Sequence, residues 1–190
     1  MNPAHHETGI SLLESLIAIF ILTILTQIGL PDLTQILRHR QGSLVLQSLA
    51  NSIYLARTAA ARWKTMTMLC PTTDGLHCDG QWHDGVLVYV DWNDNQLPDG
   101  SDEIIDYLKY EKLSGTLRWR AFRSKPFLQI TPLGFTRYQN GSFTWCDNSG
   151  VPQNAHQLIL NRTGRVRFAK DLDGDGVREN SRGSPIDCPN

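Results

Sequence analysis

The sequence has few aromatic residues and almost no net charge. Only 8% of its 190 residues are Phe, Trp or Tyr, and 18 basic side chains nearly balance 19 acidic ones, for a formal net charge of −1. A wholly basic nucleic-acid-binding chain and an acidic disordered tail are therefore excluded. With 15 glycines and 9 prolines the chain is neither collagenous nor of low complexity. Its length and its 41% of apolar residues suffice for one domain with a core.

Recognisable catalytic motifs are missing as well. The chain has no HExxH, no GxSxG and no GxxxxGK[ST] segment. His77 and His83 lie close to Cys78, but no second close pair of ligands accompanies them, so we interpret both as ordinary loop histidines. We therefore expect a protein that is not an enzyme.

The four cysteines are not spaced like the CxxC pairs of a zinc site. An even number of them fits two disulfides formed in an oxidising compartment. A bond between Cys70 and Cys78 would close a small loop, and one between Cys146 and Cys188 would tie down the C-terminal tail. The sequence leaves all three pairings open.

One long hydrophobic run stands near the N-terminus. The 21 residues from Ile10 to Leu30 carry a single charge, Glu14. As a helix this run would be roughly 31 Å long, enough for the apolar core of a bilayer. The residues before it include no Lys or Arg, and no A-x-A-like site follows it, which argues against a secretory signal peptide. A carboxylate in lipid costs a few kcal/mol unless it is paired.

Gly9, the following Ile10-Ser11-Leu12-Leu13-Glu14 and the apolar run together resemble the class III leader of the type IV pilin superfamily. The resemblance implies that prepilin peptidase cleaves between Gly9 and Ile10, that Ile10 is then N-methylated, and that Glu14 directs filament assembly. Pro31 also matches the pilin pattern. The implied partners are the inner membrane and the major and minor pilins. The prepilin would cross the inner membrane once with its head in the periplasm, and would then enter a pilus at the cell surface.

Apolar spacing beyond Pro31 predicts that one helix covers residues 11–64. Five apolar residues recur at intervals of three or four and share one helical face: Leu49, Ile53, Ala56, Ala60 and Trp63. Gly42 and Ser43 are expected to weaken the helix locally. The predicted organisation is a leader at 1–9, a transmembrane assembly helix at 10–31, the second half of the helix at 32–64, and a β-rich head at 65–190.

Short segments with strand character follow the helix and are separated by Gly, Pro, Asn or Asp. An α+β fold is therefore predicted, with the long helix packed on an antiparallel sheet, which is also the pilin architecture. The predicted strands cover residues 85–92, 103–108, 116–122, 127–131, 141–145, 157–161 and 165–169.

Charge is segregated along the head. Residues 71–111 contain ten acids and one base, whereas residues 112–170 contain ten bases and one acid. The neutral total therefore conceals a basic half.

A basic hairpin is predicted near the C-terminus. Asn161-Arg162-Thr163-Gly164-Arg165-Val166-Arg167-Phe168 contains a turn that leads into a strand, and alternation places Arg165 and Arg167 on one face. With Arg162 and Lys170 nearby, the guanidinium groups form an anion-binding cluster suited to phosphates.

The Thr163-Gly164-Arg165-x-Arg167 segment is similar to the corresponding part of the FimT/GspH family of minor pilins and pseudopilins. In FimT-like members that take up DNA, a Gly-Arg-x-Arg motif contacts the DNA. The resemblance therefore implies non-specific binding of the phosphate backbone of double-stranded DNA during natural transformation, through Gly164, Arg165 and Arg167. GspH-like members share the strand and turn, so a type II secretion pseudopilin, or a pilus-initiating minor pilin without DNA binding, is the alternative. A solitary membrane-anchored binding module is a third possibility.

A second basic cluster precedes the hairpin in sequence. Arg118 and Arg120 alternate with Trp119 in a predicted strand, so the two arginines share a face and would extend the phosphate-binding surface if that face adjoined the hairpin. We expect Trp119 in the core rather than stacked on a base. Arg123 and Lys125 complete the cluster.

Two loops are rich in oxygen ligands. Asp171, Asp173 and Asp175 begin like an EF-hand loop, but Arg182 replaces the Glu at the twelfth position, so only a weak calcium site is predicted and no other cofactor. The other loop lacks the Gly of the sixth position and is interpreted as a solvated turn; its oxygen ligands are Asp91, Asn93, Asn95 and Asp99.

Overall fold

The structure is a computed structural model that describes residues 11–123 and 125–188, apart from the side chains of residues 27–35. The predicted leader, the cleavage position Gly9–Ile10 and the side chain of Pro31 lie outside the described residues. The chain divides into two compact units, with the division between Leu37 and Arg38. The domain boundaries predicted at residues 9, 31 and 64 stay predictions.

A single helix, α1 (Leu12–Trp63), agrees with the prediction for residues 11–64. The Ser11 hydroxyl accepts a hydrogen bond from the Glu14 N–H at 3.2 Å, so Ser11 caps the helix and Glu14 lies in its first turn. The helix ends at Trp63 because Lys64 adopts a left-handed conformation with φ of 55°.

No helix among the searched residues has both the length and the apolarity needed to cross a membrane. The predicted span at 10–31 includes residue 10 and the side chains of residues 27–31, which lie outside the described part of the chain.

Two four-stranded antiparallel sheets follow the helix. Sheet 1 has the strand order β3-β2-β1-β5, and sheet 2 has the order β4-β6-β7-β8. The strands are β1 (Met66–Pro71), β2 (Gly85–Asp91), β3 (Glu103–Lys109), β4 (Gly115–Ala121), β5 (Leu128–Ile130), β6 (Gly141–Asp147), β7 (His156–Leu160) and β8 (Val166–Phe168).

All seven predicted strands are present, but β1 is absent from the sequence prediction. Only two residues separate it from the helix, and it is buried along nearly its whole length. A strand covered on both faces has no alternation of apolar and polar residues, and no Gly or Pro separates this one from α1. The two patterns that predict the other strands, alternation and flanking turn residues, are therefore missing at β1.

The main core lies where α1 meets both sheets. Buried helix residues from Val45 to Ala60 pack against Leu69, Val86 and Val88 of sheet 1 and against sheet 2, which contributes Leu117, Phe143, Trp145 and Leu158. The expected local weakness of the helix at Gly42 stays a prediction. A Cβ there would lie 2.3 Å from the Trp145 ring, so Gly42 is the position where the helix and Trp145 approach closely, and α1 continues through it.

Both disulfides join the cysteines that the sequence left unassigned. Cys70 bonds to Cys78 and closes a short loop after β1. Cys146 of β6 bonds to Cys188 and fastens the C-terminal tail to sheet 2. The described residues include no free cysteine.

A cluster of basic side chains also holds the tail. The His156 Nε2–H donates to the His39 carbonyl oxygen at 3.0 Å, and the Arg178 guanidinium donates to His39 Nε2 at 3.3 Å. Arg178 also donates to the carbonyl oxygens of Gln153 and Ala155. Burial, together with the nearby Arg178 and His39, lowers the pKa of His156 to about 4.

This cluster predicts a loss of stability in mild acid. Unfolded His156 gains a proton below its ordinary pKa of about 6.5, while the folded state resists protonation until about 4, so stability falls as the pH falls through that interval. Between pH 7 and pH 4.5 the loss from this group is about 2.5 kcal/mol. Urea unfolding at the two pH values should show a smaller loss for His156→Gln than for the parent chain. Equal losses in the two proteins would contradict the assignment.

Candidate nucleic-acid interface

The predicted basic hairpin is formed by β7 and β8, and its turn is held by one side chain. Asn161 Oδ1 accepts hydrogen bonds from the Arg165 N–H at 2.9 Å and from the Thr163 hydroxyl at 2.8 Å. The Gly164 N–H donates to the Asn161 carbonyl oxygen at 3.0 Å. Asn161 therefore fixes the conformation of the turn that precedes Arg165 and Arg167.

Gly164 is required by both its conformation and its surroundings. Its φ is +73°, in the left-handed region, and a Cβ there would lie 2.2 Å from the Gly134 carbonyl oxygen. That oxygen also accepts a hydrogen bond from Arg57 Nε at 3.2 Å, and the Thr136 N–H donates to the Arg162 carbonyl oxygen at 3.0 Å. The turn is thus hydrogen-bonded to the loop after β5, and that loop is in turn hydrogen-bonded to α1.

The arginines of the hairpin face solvent. Val166 packs against the core, so alternation directs Arg165 and Arg167 to the opposite side of the strand. Arg162, Arg165, Arg167 and Lys170 are all exposed. Within the described part of the chain, the salt bridges involve other residues, so none of these four side chains forms an ion pair.

Tyr138 brings a residue of the second basic cluster to the hairpin. The guanidinium carbon of Arg162 lies 4.9 Å from the Tyr138 ring centroid, and that of Arg123 lies 5.2 Å from it. Contact through the flat face of a guanidinium leaves its edge N–H groups free for a phosphate. Lys125 instead contacts the Phe127 ring at 5.7 Å, and no contact joins it to the hairpin.

Arg118 and Arg120 share a sheet face with the hairpin arginines. Strand register aligns Arg120 of β4 with Ser142, then Ile159, then Arg167 of β8, so these side chains form one row across sheet 2. We call this side, opposite the core, the outer face of sheet 2. Since β4 and β8 are its two edge strands, the arginines occupy opposite edges about 14 Å apart.

Trp119 lies on the core side of β4, as expected. Its ring stacks on Phe143 with centroids 4.2 Å apart and contacts the core cluster. Phe143 therefore occupies the ring face on which a base would otherwise stack from that side.

The charged segments of the sequence supply different strands of the head. The acidic segment supplies β2 and β3 of sheet 1, and the basic segment supplies β5 of sheet 1 and all four strands of sheet 2. The basic hairpin therefore belongs to sheet 2, and a cluster of carboxylates (Asp171, Asp173, Asp175 and Glu179) follows it in the chain.

The predicted calcium loop acquires a fourth carboxylate. Asp171, Asp173 and Asp175 converge with Glu179, and one oxygen from each lies within 4.8 Å of the others. Glu179 is buried and occupies the ninth position of the loop, where EF-hands also place an oxygen ligand. The sequence pattern does not point to Glu179, because D-x-D-x-D-G covers only the first six positions of the loop. Calcium binding at this loop stays a prediction.

The interpretation of residues 91–99 as a solvated turn is wrong for Asp91. This residue is fully buried, and its carboxylate accepts hydrogen bonds from the backbone N–H groups of Asn95 and Gln96. Burial raises the pKa of Asp91 against the opposing effect of these bonds. The Asn93 and Asn95 amides both donate to Asp99, so the loop is an ordered hydrogen-bonded structure.

Three residues of the interface were missed from the sequence. Arg57 lies in α1, far from the hairpin along the chain, and Tyr138 lies in an irregular loop with φ of 60°. Arg182 reaches the outer face of sheet 2 only because the tail is fastened there by Cys188. In the sequence, only the possible pairing of Cys146 with Cys188 indicates that the tail, and with it Arg182, lies on this face.

A long helix packed on antiparallel sheets, with the hairpin at a sheet edge, defines the pilin class of fold. The family model described as "Type II transport protein GspH" matches residues 45–164, well over half of the chain. The chain belongs to this family, which confirms the resemblance to the FimT/GspH branch of the type IV pilin superfamily. No curated protein sequence matches the chain significantly.

Two solved structures with TM-scores above 0.5 share this fold. Two crystal forms of the type IV minor pilin FimU of Pseudomonas aeruginosa superpose with TM-scores of 0.54 and 0.52 at 14% identity, and cover 69% and 67% of this chain and 90% and 92% of theirs. The minor pseudopilin EpsH of the Vibrio cholerae type 2 secretion system superposes with a TM-score of 0.49 at 11% identity, covering 67% of this chain and 95% of its own. The predicted α+β pilin fold is confirmed.

The contact between Gly164 and Gly134 predicts a stability difference between two glycine substitutions. Gly150 has nearly the same φ, +70°, but open space around its missing Cβ, so Gly150→Ala measures the conformational cost alone, about 1 kcal/mol. Gly164→Ala adds the clash with a backbone oxygen and should cost about 1–3 kcal/mol more. Urea unfolding of the two variants checks this, and equal costs would show that the contact is unimportant.

Proposed function

We propose that this chain is a minor pilin of a type IV pilus that binds double-stranded DNA non-specifically through the β7–β8 hairpin during DNA uptake. Arg165 and Arg167 donate to backbone phosphates, and Arg162 and Lys170 add charge beside them. Arg123 contributes through its shared contact with Tyr138, while Arg118 and Arg120 extend the surface across the outer face of sheet 2. Lys125 has the weakest connection to this surface.

The observation that carries the proposal is the Gly-Arg-x-Arg turn itself. Its arginines are exposed, they form no salt bridge among the described residues, and they project from a turn that is hydrogen-bonded to the loop after β5. Ordered cations that are not already paired bind phosphates without first breaking an internal ion pair. Such contacts carry no base information, so binding is independent of sequence and sensitive to salt.

Processing and assembly follow the family pattern in this proposal. Prepilin peptidase cuts between Gly9 and Ile10, Ile10 is N-methylated, and Glu14 pairs with the N-terminal amine of a neighbouring subunit. The prepilin resides in the inner membrane with its head in the periplasm before it joins major and minor pilins. Both disulfides suit an oxidising compartment. That the chain is not an enzyme stays a prediction.

A pseudopilin of a type II secretion system is the second candidate. The description of the matching family favours it, since that description names type II transport. In this case the hairpin arginines contact neighbouring subunits instead of DNA. A pilus-initiating minor pilin would use them in the same way.

Removal of two charges from the hairpin should abolish most DNA binding. In Arg165→Gln/Arg167→Gln, about two phosphate contacts disappear, so affinity falls at least about tenfold and the salt dependence of log K weakens by about 1.8. The full-length chain in a non-ionic detergent is titrated against a labelled DNA duplex and followed by fluorescence anisotropy. Both side chains are exposed, so the thermal unfolding midpoint should not change.

The matched control is Arg40→Gln/Arg62→Gln, which removes the same charge from exposed positions of α1. It should bind nearly as tightly as the parent chain. Equal losses in the two double variants would reduce the effect to net charge and contradict the site. A parent chain that binds no DNA at low salt would favour the pseudopilin.

A further inference from the structure

A groove lies on the outer face of sheet 2, between β4 and the C-terminal tail. It has a volume of about 330 Å³. Arg118, Arg120, Ser142 and Thr144 line it from β4 and β6, and Asn180 and Arg182 line it from the tail. The groove therefore combines side chains from two parts of the chain that are far apart in sequence.

The tail is held in place on this face by three kinds of bond. The Cys146–Cys188 disulfide anchors its end to β6. Backbone hydrogen bonds run from the Glu179 N–H to the Lys170 oxygen and from the Ile186 N–H to the Arg178 oxygen. The Asn180 side chain accepts from the Arg182 N–H at 2.8 Å and so closes the turn that carries Arg182. Arg182 is thus positioned at the groove rather than on a free end.

The chemistry of the groove suits an anion with several oxygen atoms. Three guanidinium groups and the hydroxyls of Ser142 and Thr144 are donors, and Asp187 is the single carboxylate in the lining. None of the three arginines belongs to a salt bridge among the described residues. A planar guanidinium matches the oxygen geometry of a phosphate, whereas an uncharged apolar ligand would leave these donors unsatisfied.

We propose that this groove is a second phosphate-binding site, which holds the backbone of the same DNA that the hairpin contacts, and that Arg182 is one of its ligand-binding residues. The proposal rests on the proposed function. The row from Arg120 to Arg167 places both sites on one face, about 14 Å apart, so one duplex contacts both. Two sites release more counterions than one and therefore steepen the salt dependence.

Substitution of the groove arginines tests this site separately from the hairpin. In Arg118→Gln/Arg182→Gln the hairpin remains, so DNA affinity should fall about tenfold and the slope of log K against log salt should weaken by about 1.8. The measurement uses the full-length chain in a non-ionic detergent, a labelled duplex and several salt concentrations. Arg40→Gln/Arg62→Gln again supplies the control for net charge, and thermal unfolding verifies the fold.

The position of the tail is tested by removing its anchor. Cys146→Ser/Cys188→Ser removes the disulfide between the tail and β6, so Arg182 is held less firmly at the groove. DNA affinity should then fall as far as it does in Arg182→Gln alone. Full affinity in this variant would show that the disulfide does not position Arg182. Because Cys70–Cys78 stays intact, the loop after β1 is unchanged.

The possible outcomes separate this proposal from the proposed function. Loss of affinity in both the groove and the hairpin variants supports two sites. If the hairpin variant loses affinity and the groove variant behaves like the control, the second site and the proposed role of Arg118 are wrong, and DNA binding by the hairpin stands. If the parent chain binds no DNA, the proposed function fails, and the groove loses the DNA ligand assigned to it.

Discussion

Residues from both sheets cover the apolar stripe of α1 between Val45 and Ala60, and the rest of the head depends on this shared burial. Sheet 1 has a small second core on its other face, formed by Met68, Cys70, Leu87 and Tyr89, but the main core that joins the two sheets is built on α1. Gly42 allows Trp145 of sheet 2 to approach the helix, and Arg57 of the same helix binds the Gly134 carbonyl beside the hairpin turn. The element that builds the core therefore also supports the candidate DNA-binding site.

Much of the fold was predictable because its signals are local. The stripe of α1 repeats at helical spacing, and most strands alternate between turn residues, so their positions follow from the sequence. Strand β1 was missed because burial on both faces removes the alternation on which a strand prediction depends. The site was predictable only where it is continuous in sequence: Arg165 and Arg167 follow one turn, whereas Arg57, Tyr138 and Arg182 join it through long-range contacts.

The exposed arginines of the head are concentrated on the outer face of sheet 2. A polyanion is attracted to this face, while the acidic segment at residues 71–111 repels it. Since the total charge is −1, nonspecific attraction by the whole molecule is weak, and binding depends on this local arrangement. The arginines lie at both edges of sheet 2, and the disulfide-anchored tail adds Arg182 to one of them. DNA binding thus depends on where the arginines lie and not on the net charge of the chain.

The most direct measurement is an NMR titration of the arginine side-chain Nε–Hε signals with a DNA duplex, in the full-length chain in detergent. A guanidinium that binds phosphate changes its chemical shift, so each arginine reports its own contact. If DNA binds the outer face of sheet 2, the Nε–Hε signals of Arg165, Arg167, Arg118 and Arg182 should shift. The signals of Arg40 and Arg62 of α1 should stay unchanged. Shifts confined to α1, or none at all at low salt, would contradict it.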